Sequence, residues 1–320
     1  MGFELGDRLK TAIDVTHVTV KPFDGFIFLC GGIIRGEDEP LASARHYAVL
    51  KFDATQRLAN RPVIIAERMT DILNDGEFHN LLEFEEHIAA LCSCIIIFLE
   101  SPGSIAELGS FAVMPHVSPK LLVFCEQRFD TSASPSFIFL GPLASLRKLN
   151  VESVQVFPME AQEGTSFMVK KELLDECWED IEEAIHGSLK RSVTESSFDP
   201  SQISHQMLLV VALTGLCIAL TSLELEECLK IFGVTLSIKH LHRMLRMLER
   251  FKLVARMPYG SQNFFFSLKD DPLFIFRSSS PDGAIFDHVR FKADAASFYN
   301  EKDKRKSKAI KAYRKKVVEE

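Results

Sequence analysis

Residues 94–111, Cys-Ile-Ile-Ile-Phe-Leu-Glu-Ser-Pro-Gly-Ser-Ile-Ala-Glu-Leu-Gly-Ser-Phe, constrain the fold more than any other stretch. An apolar run from Ile95 to Leu99 stops at Glu100, and the tight turn Ser101-Pro102-Gly103-Ser104 follows. Such a run predicts a strand buried on both faces. The turn then feeds a helix expected over about Ile105 to Val113, with Glu107 in its first turn. Open α/β sheets hold their ligands where a buried strand meets a turn and a helix N-terminus. The partial positive charge and unpaired N–H groups of that terminus favour anions. A carboxylate there suits a nucleophile held beside a sugar and its phosphates. It equally suits a residue that only complements the helix dipole, and spacing leaves both readings open.

The same alternation runs through the flanking sequence. Phe26–Cys30 reads as a strand ending at Gly31-Gly32, and residues Leu41 to Ala59 carry Ala44, Ala48, Phe52 and Leu58 at helical spacing. A second strand, Pro62 to Ala66, ends at Glu67, from which Arg68 and Asp71 open a polar loop to His79. A helix from Leu81 to Cys92 carries Glu85 and Glu86, and further strands are expected at Lys120–Cys125 and Val154–Phe157. Apolar strands alternating with helices predict a Rossmann-like, doubly wound parallel α/β sheet. Right-handed crossovers bring the strand C-termini to one edge, so Gly31-Gly32, Glu67 and Glu100 to Glu107 should converge. The two glycines let backbone approach a ligand closely, or form a plain turn.

After Phe157 the pattern changes. A long helix, 163–188, holds the single Trp178, and a polar linker, 192–201, follows. Met207–Leu220, a helix from Ser222 capped by Thr221 or Ser222, and Ile238–Phe251 capped by Ser237 read as three helices. The hairpin 253–266 completes the pattern of a winged helix-turn-helix. The third helix interleaves Lys239, His240, His242, Arg243, Arg246 and Arg250 with Leu241, Leu245 and Leu248. One apolar and one basic face suit a nucleic-acid contact through Lys239, His242, Arg243, Arg246 and Arg250, or a solvated face on a protein-binding module. The expected domains are 1–160 (α/β), 161–200 (helix and linker), 201–280 (all-α winged helix) and 281–320 (basic tail).

Net charge is −7, yet residues 301–320 hold nine Lys or Arg against four acids, around Tyr313. That tail could follow a nucleic-acid backbone or form a solvated helix. The seven cysteines sit mostly in apolar runs without zinc-knuckle spacing, so buried thiols in a reducing compartment are expected and a metal is not. The longest apolar run, Met207 to Leu220, is 14 residues and too short for a bilayer, which needs about 20. With no signal-peptide pattern at Met1-Gly2-Phe3-Glu4, a cytoplasmic protein is expected.

Three pieces carry a family resemblance: Ile27-Phe28-Leu29-Cys30-Gly31-Gly32, the Ala66-Glu67 strand end, and Glu100 to Phe111. They resemble the nucleoside deoxyribosyltransferase-like fold, nearest to effectors of bacterial retrons that carry this domain. Phe139-Leu140-Gly141-Pro142-Leu143 and Leu146-Arg147-Lys148 resemble those effectors too. The resemblance implies N-glycosidic bond chemistry, in which the glutamate matching Glu107 attacks the anomeric carbon and forms a glycosyl ester. A second acid, Glu67 or Glu100, would protonate the leaving base. Gly31, Gly32, Ser101, Gly103 and Ser104 would hold sugar and phosphate oxygens. The transferases commonly carry an aspartate six residues before the nucleophile. Ser101 stands there in this chain, so simple base exchange on deoxynucleosides fits less well than a hydrolytic toxin. NAD or a related nucleotide would be its substrate, and no cofactor is expected. The implied partners are the retron reverse transcriptase and its msDNA with the non-coding RNA, with a homo-oligomer left open. The alternatives are a stand-alone transferase or nucleotide hydrolase, and a non-enzymatic, nucleotide-sensing DNA-binding regulator.

Overall fold

Where the apolar runs lie, strands form. A computed structural model describes residues 4–36, 39–52, 57–59, 61–69, 78, 81–126, 136–157, 170–191, 194–280 and 284–319. Its helices are α1 (Glu4–Ala12), α2 (Ala44–Leu50), α3 (Leu81–Leu91), α4 (Pro102–Phe111), α5 (Ala144–Leu149), α6 (Lys171–Arg191), α7 (Ile203–Leu216), α8 (Ser222–Ile231), α9 (Ile238–Arg250), α10 (His288–Lys302) and α11 (Lys304–Glu319). The strands are β1 (Ile13–Val20), β2 (Phe26–Cys30), β3 (Arg57–Leu58), β4 (Arg61–Ile64), β5 (Cys92–Phe98), β6 (Leu121–Glu126), β7 (Val154–Phe157), β8 (Ser196–Ser197), β9 (Val254–Tyr259), β10 (Gln262–Ser267) and β11 (Phe274–Ser278).

The main sheet has the order β3-β4-β2-β5-β6-β7. Every neighbouring pair is parallel except β3 with β4. The parallel strands therefore stand in the doubly wound order 2-1-3-4-5, whose winding reverses between β2 and β5. Every residue of β5 and β6 is buried, as continuous apolar strands require. Ile27, Leu29, Ile96, Phe98, Leu122 and Phe124 form the core with Tyr47 of α2 and Trp178 of α6. The expected fold class is the observed one, a mostly parallel α/β sheet followed by a helical C-terminal region.

Several boundaries differ from the sequence reading. Ser101 caps α4 and Pro102 occupies its first position, so the helix starts three residues before Ile105. Glu107 is thus the sixth residue of α4 and lies in the second turn. Ser43 caps α2 by accepting the His46 N–H, and among the described residues the helix expected over Leu41 to Ala59 spans Ala44–Leu50. Glu67 falls in a short 3-10 turn, Ala66–Met69. Asp71, His79 and residues 163–169 lie outside the described residues.

The chain divides into two compact units, and they are not consecutive in sequence. One comprises Asp24–Asp71 and Ile88–Val193 and holds the parallel sheet. The other comprises Met1–Phe23, Ile72–His87 and Thr194–Glu320. Residues 1–23, expected with the α/β domain, belong to the second unit because β1 pairs antiparallel with β8 and β11. The 192–201 stretch, read as a linker, supplies β8. In that unit α7 is almost wholly buried, α8 is closed by a Thr221–Glu224 capping box, and α9 is capped by Ser237. The β9–β10 hairpin turns at Gly260 (φ +62°). The basic tail forms α10 and α11 and is anchored on one side. Lys306, 2% exposed, donates to Glu224 Oε1 at 2.6 Å, and Tyr313 stacks on Phe266 at 4.0 Å. All seven cysteines are buried and none forms a disulfide. Among the described residues no helix is long and apolar enough to cross a membrane, and no group of three or more metal-ligating side chains occurs.

Candidate functional site

The strand ends meet where the winding reverses. Cys30-Gly31-Gly32 leaves β2 beside Leu99-Glu100-Ser101, which leaves β5, and Cys30 pairs with Ile97 in register. A Cβ on Gly31 (φ +153°) would stand 2.8 Å from Arg45 Cβ, and one on Gly32 would stand 2.7 Å from Ser43 Cβ. Both glycines are therefore required by the close approach of α2. The loop that was expected to admit a ligand is already in contact with the chain itself.

Glu100 explains that approach. Its Oε1 accepts from the N–H groups of Gly32 (3.0 Å) and Arg45 (2.9 Å), and its Oε2 accepts from Ala44 N–H (2.7 Å). Burial pushes the Glu100 carboxyl up, against these three donors and the Arg45 charge, which pull it down. The side chain binds the Gly31-Gly32 loop to the start of α2, which is an architectural task. With both oxygens held by backbone, Glu100 is not placed to hand a proton to a ligand, a correction to its candidacy as the general acid.

Arg45 is the residue that sequence reasoning missed. It is 3% exposed, and its guanidinium grips Glu67 at both oxygens, 2.6 and 2.7 Å. A second contact reaches Gly32 O at 3.4 Å. A signal was present: a cation in the first turn of a helix works against the helix dipole, and here a buried carboxylate, Glu100, offsets it. Burial raises the Glu67 carboxyl, but the Arg45 fork outweighs burial and holds it below the usual carboxylate range. The Glu67 side chain itself remains 63% exposed.

Glu107 completes the cluster from α4. Its Oε2 is buried and has no hydrogen-bond partner. Burial pushes its carboxyl above the ordinary range, Arg45 pulls it back, Glu67 pushes it further up, and the Cys30 thiol donates to it. A buried, unmatched carboxylate oxygen carries a free-energy cost of about 1–3 kcal/mol or more, which a purely structural position would shed. Its second-turn position also removes the reading of Glu107 as a first-turn complement to the dipole, whose effect fades within one turn.

The serines are engaged in the turn. Ser101 and Ser104 form a reciprocal cap, with Ser104 N–H donating to Ser101 Oγ at 3.1 Å and Ser101 N–H donating to Ser104 Oγ at 3.0 Å. Ser101 Oγ also donates to Gly31 O at 3.1 Å, linking the two strand ends. Ser104 is wholly buried and Gly103 is exposed, so of the expected oxygen-binding residues Gly103 alone faces solvent outright. Glu85 and Glu86 belong to the other unit.

In that other unit α9 sorts its cations. Lys239, His242 and Arg250 are exposed, and Arg246 is one-third exposed with Glu249 Oε2 at 3.9 Å. Arg243 is buried, 8% exposed, and bonded to Glu83 of α3, so it is withdrawn from the basic face that the sequence suggested.

The family model described as the STM3845 retron effector protein matches residues 41–256, which include α2, Glu67, the end of β5, Glu107 and α9. The chain belongs to that retron effector family. Two proteins of Escherichia coli are similar to this effector. One, named a candidate ribosyltransferase/DNA-binding protein of retron Ec73, is 29% identical over 182 residues, 55% of this chain and 56% of that protein. Its counterpart from retron Ec86 is 36% identical over 129 residues, 40% of this chain and 39% of that protein. The matches thus span about half or less of the length of those relatives.

Proposed function

We propose that this retron effector is an anti-phage toxin that cleaves the N-glycosidic bond of a nucleotide, NAD or a close relative. The observation that carries the reading is the buried Glu107 Oε2, left without a partner beside Arg45 and Glu67 at the switch point of the sheet. An anionic carboxylate is the right nucleophile for an oxocarbenium-like centre. Glu107 attacks C1′, the C–N bond breaks, and its electron pair leaves with the base; nicotinamide departs neutral from NAD, whereas a purine or pyrimidine takes a proton. Water then displaces the glycosyl ester, giving the sugar hydroxyl and restoring the carboxylate, with the water's other proton passing to a neighbouring base. Glu67 is the remaining side chain for that proton traffic, because Glu100 is held by backbone. The ribosyltransferase/DNA-binding names of the relatives support both halves of the reading. Lys239, His242 and Arg250 on α9 would meet msDNA, and the reverse transcriptase–msDNA complex would hold the toxin silent until infection.

Expression of the full chain and of Glu107→Gln, each with and without the cognate reverse transcriptase and msDNA, tests this directly. Nucleotide pools by mass spectrometry and growth are the readouts. The intact chain without partners should release base and arrest growth, and Glu107→Gln should lower turnover by about a thousandfold or more. Equal base release by both chains would overturn the nucleophile, and unchanged pools in every arm and in the same arms after phage infection would overturn the glycosidase.

A further inference from the structure

The Arg45–Glu67 pair joins two unequal partners. Arg45 is fixed: Gly31 packs on its Cβ and Cδ, its N–H is bound by Glu100, and almost none of it meets water. Its Nε is buried with no hydrogen-bond partner. Glu67 is the opposite, an exposed side chain on a one-turn 3-10 segment, held to the site by the guanidinium fork. A guanidinium presents its donors in the plane that suits carboxylate and phosphate alike. A rigid, buried receptor whose present anion sits at the solvent side is built for exchange.

Taking the sheet-edge cluster as the glycosidase site, we propose that Arg45 is the receptor for a phosphate of the substrate, and that Glu67 is a resident anion which the phosphate displaces. The substrate class is then a phosphorylated nucleotide, not a neutral nucleoside. Displacement has a second consequence. Glu67 loses the guanidinium that holds its carboxyl below the ordinary range, so the released carboxyl takes up a proton more readily. Phosphate binding thereby frees Glu67 for proton transfer, to a purine or pyrimidine leaving group or from the attacking water, and a molecule without phosphate leaves Glu67 clamped.

Ribose 5-phosphate and ribose are probes that need no knowledge of the base. Their binding to the full chain carrying Glu107→Gln is measured by ligand-observed NMR at millimolar concentration. Ribose 5-phosphate should bind at least about tenfold more tightly than ribose, as a charge-assisted fork requires. Glu67→Gln, a change at an exposed side chain, should tighten ribose 5-phosphate several-fold by removing the competitor, and Arg45→Lys, which keeps charge and loses the fork, should weaken it. Equal binding of the two sugars, no binding of either, or weaker phosphate binding in Glu67→Gln overturns the receptor. Arg45-dependent phosphate binding in a chain that releases no base would leave the receptor standing and remove the glycosidase. Base release that needs Glu107, with ribose 5-phosphate no better than ribose, would do the reverse.

Discussion

Arg45 at the edge of the parallel sheet and Arg243 on α9 are both nearly sealed from water, at 3% and 8% exposure, and both pair with a glutamate. Their surroundings differ in one respect that decides what each can do. Arg243 faces Glu83, itself only 24% exposed, so both ends of the pair are fixed inside one helical packing. Arg45 faces Glu67, 63% exposed, and lies beside a carboxylate oxygen that nothing satisfies. A charge buried with a buried partner holds elements together. A charge buried with an exposed partner can exchange that partner for another anion, the role proposed for Arg45. The exposure of the partner, more than that of the arginine, is where the two pairs differ.

The contrast can be broken most sharply at Arg243. Arg243→Ala removes the cation that faces the Glu83 carboxylate in a mostly dry contact and should cost about 3 kcal/mol in a urea melt. The double replacement Arg243→Met with Glu83→Leu should recover most of that loss. A cost under about 1 kcal/mol for Arg243→Ala would erase the distinction.

The same helical contact has a pH signature. Burial pulls the His87 imidazole down to about 4, against about 6.5 in an unfolded chain. As pH falls the unfolded state takes up this proton first, so stability drains between about pH 6.5 and 4, by about 3 kcal/mol in all. His87→Phe should remove that part of the slope in melts across this window. Glu67 works in a lower window with the opposite cause, since its depressed carboxyl contributes stability above its unfolded value and loses it as pH falls through the folded one. An unchanged slope in His87→Phe would place the sensitivity elsewhere.

Smaller effects sharpen the sheet edge. Ser101→Ala removes the cap of α4 and the tie to Gly31, and should cost about 1 kcal/mol by thermal melting; under the proposed glycosidase function it should also lower base release through a less well placed Glu107. Glu67→Gln should cost less, under about 1 kcal/mol, because the lost partner is exposed. If Glu67→Gln destabilised as much as Arg243→Ala, the two arginines would belong to one class.

Much of the α/β unit was legible in the chain. The runs Phe26–Cys30, Ile95 to Leu99 and Leu121–Cys125 are too apolar to be anything but buried strands, and the turns after them carry the polar residues. Glu107 stood out because a carboxylate follows a strand–turn–helix junction. Its turn number was misjudged, since Pro102 and the Ser101 cap start the helix early. The segment 1–23 was not legible as part of the C-terminal unit. β1 is mixed polar and apolar, its register breaks between Asp14 and Thr19, and its partners lie at Ser196–Ser197 and Phe274–Ser278. Antiparallel pairing over such separations leaves no local trace.

Local chemistry settled what could be settled locally: the caps at Ser43, Ser101, Thr221 and Ser237, the hairpin turn at Gly260, and the buried strands of the main sheet. These depend on neighbours within four residues, which a sequence displays. The division of labour among the charges was decided only by the fold. Glu100 and Glu107 look alike in the chain, seven positions apart, yet one is bound by three backbone donors from the β2–α2 segment and the other has an oxygen left bare. Arg243 and Lys239 share one basic helix, yet only the first meets Glu83. Electrostatic roles follow from distance and desolvation, and both are set by segments that sequence keeps far apart.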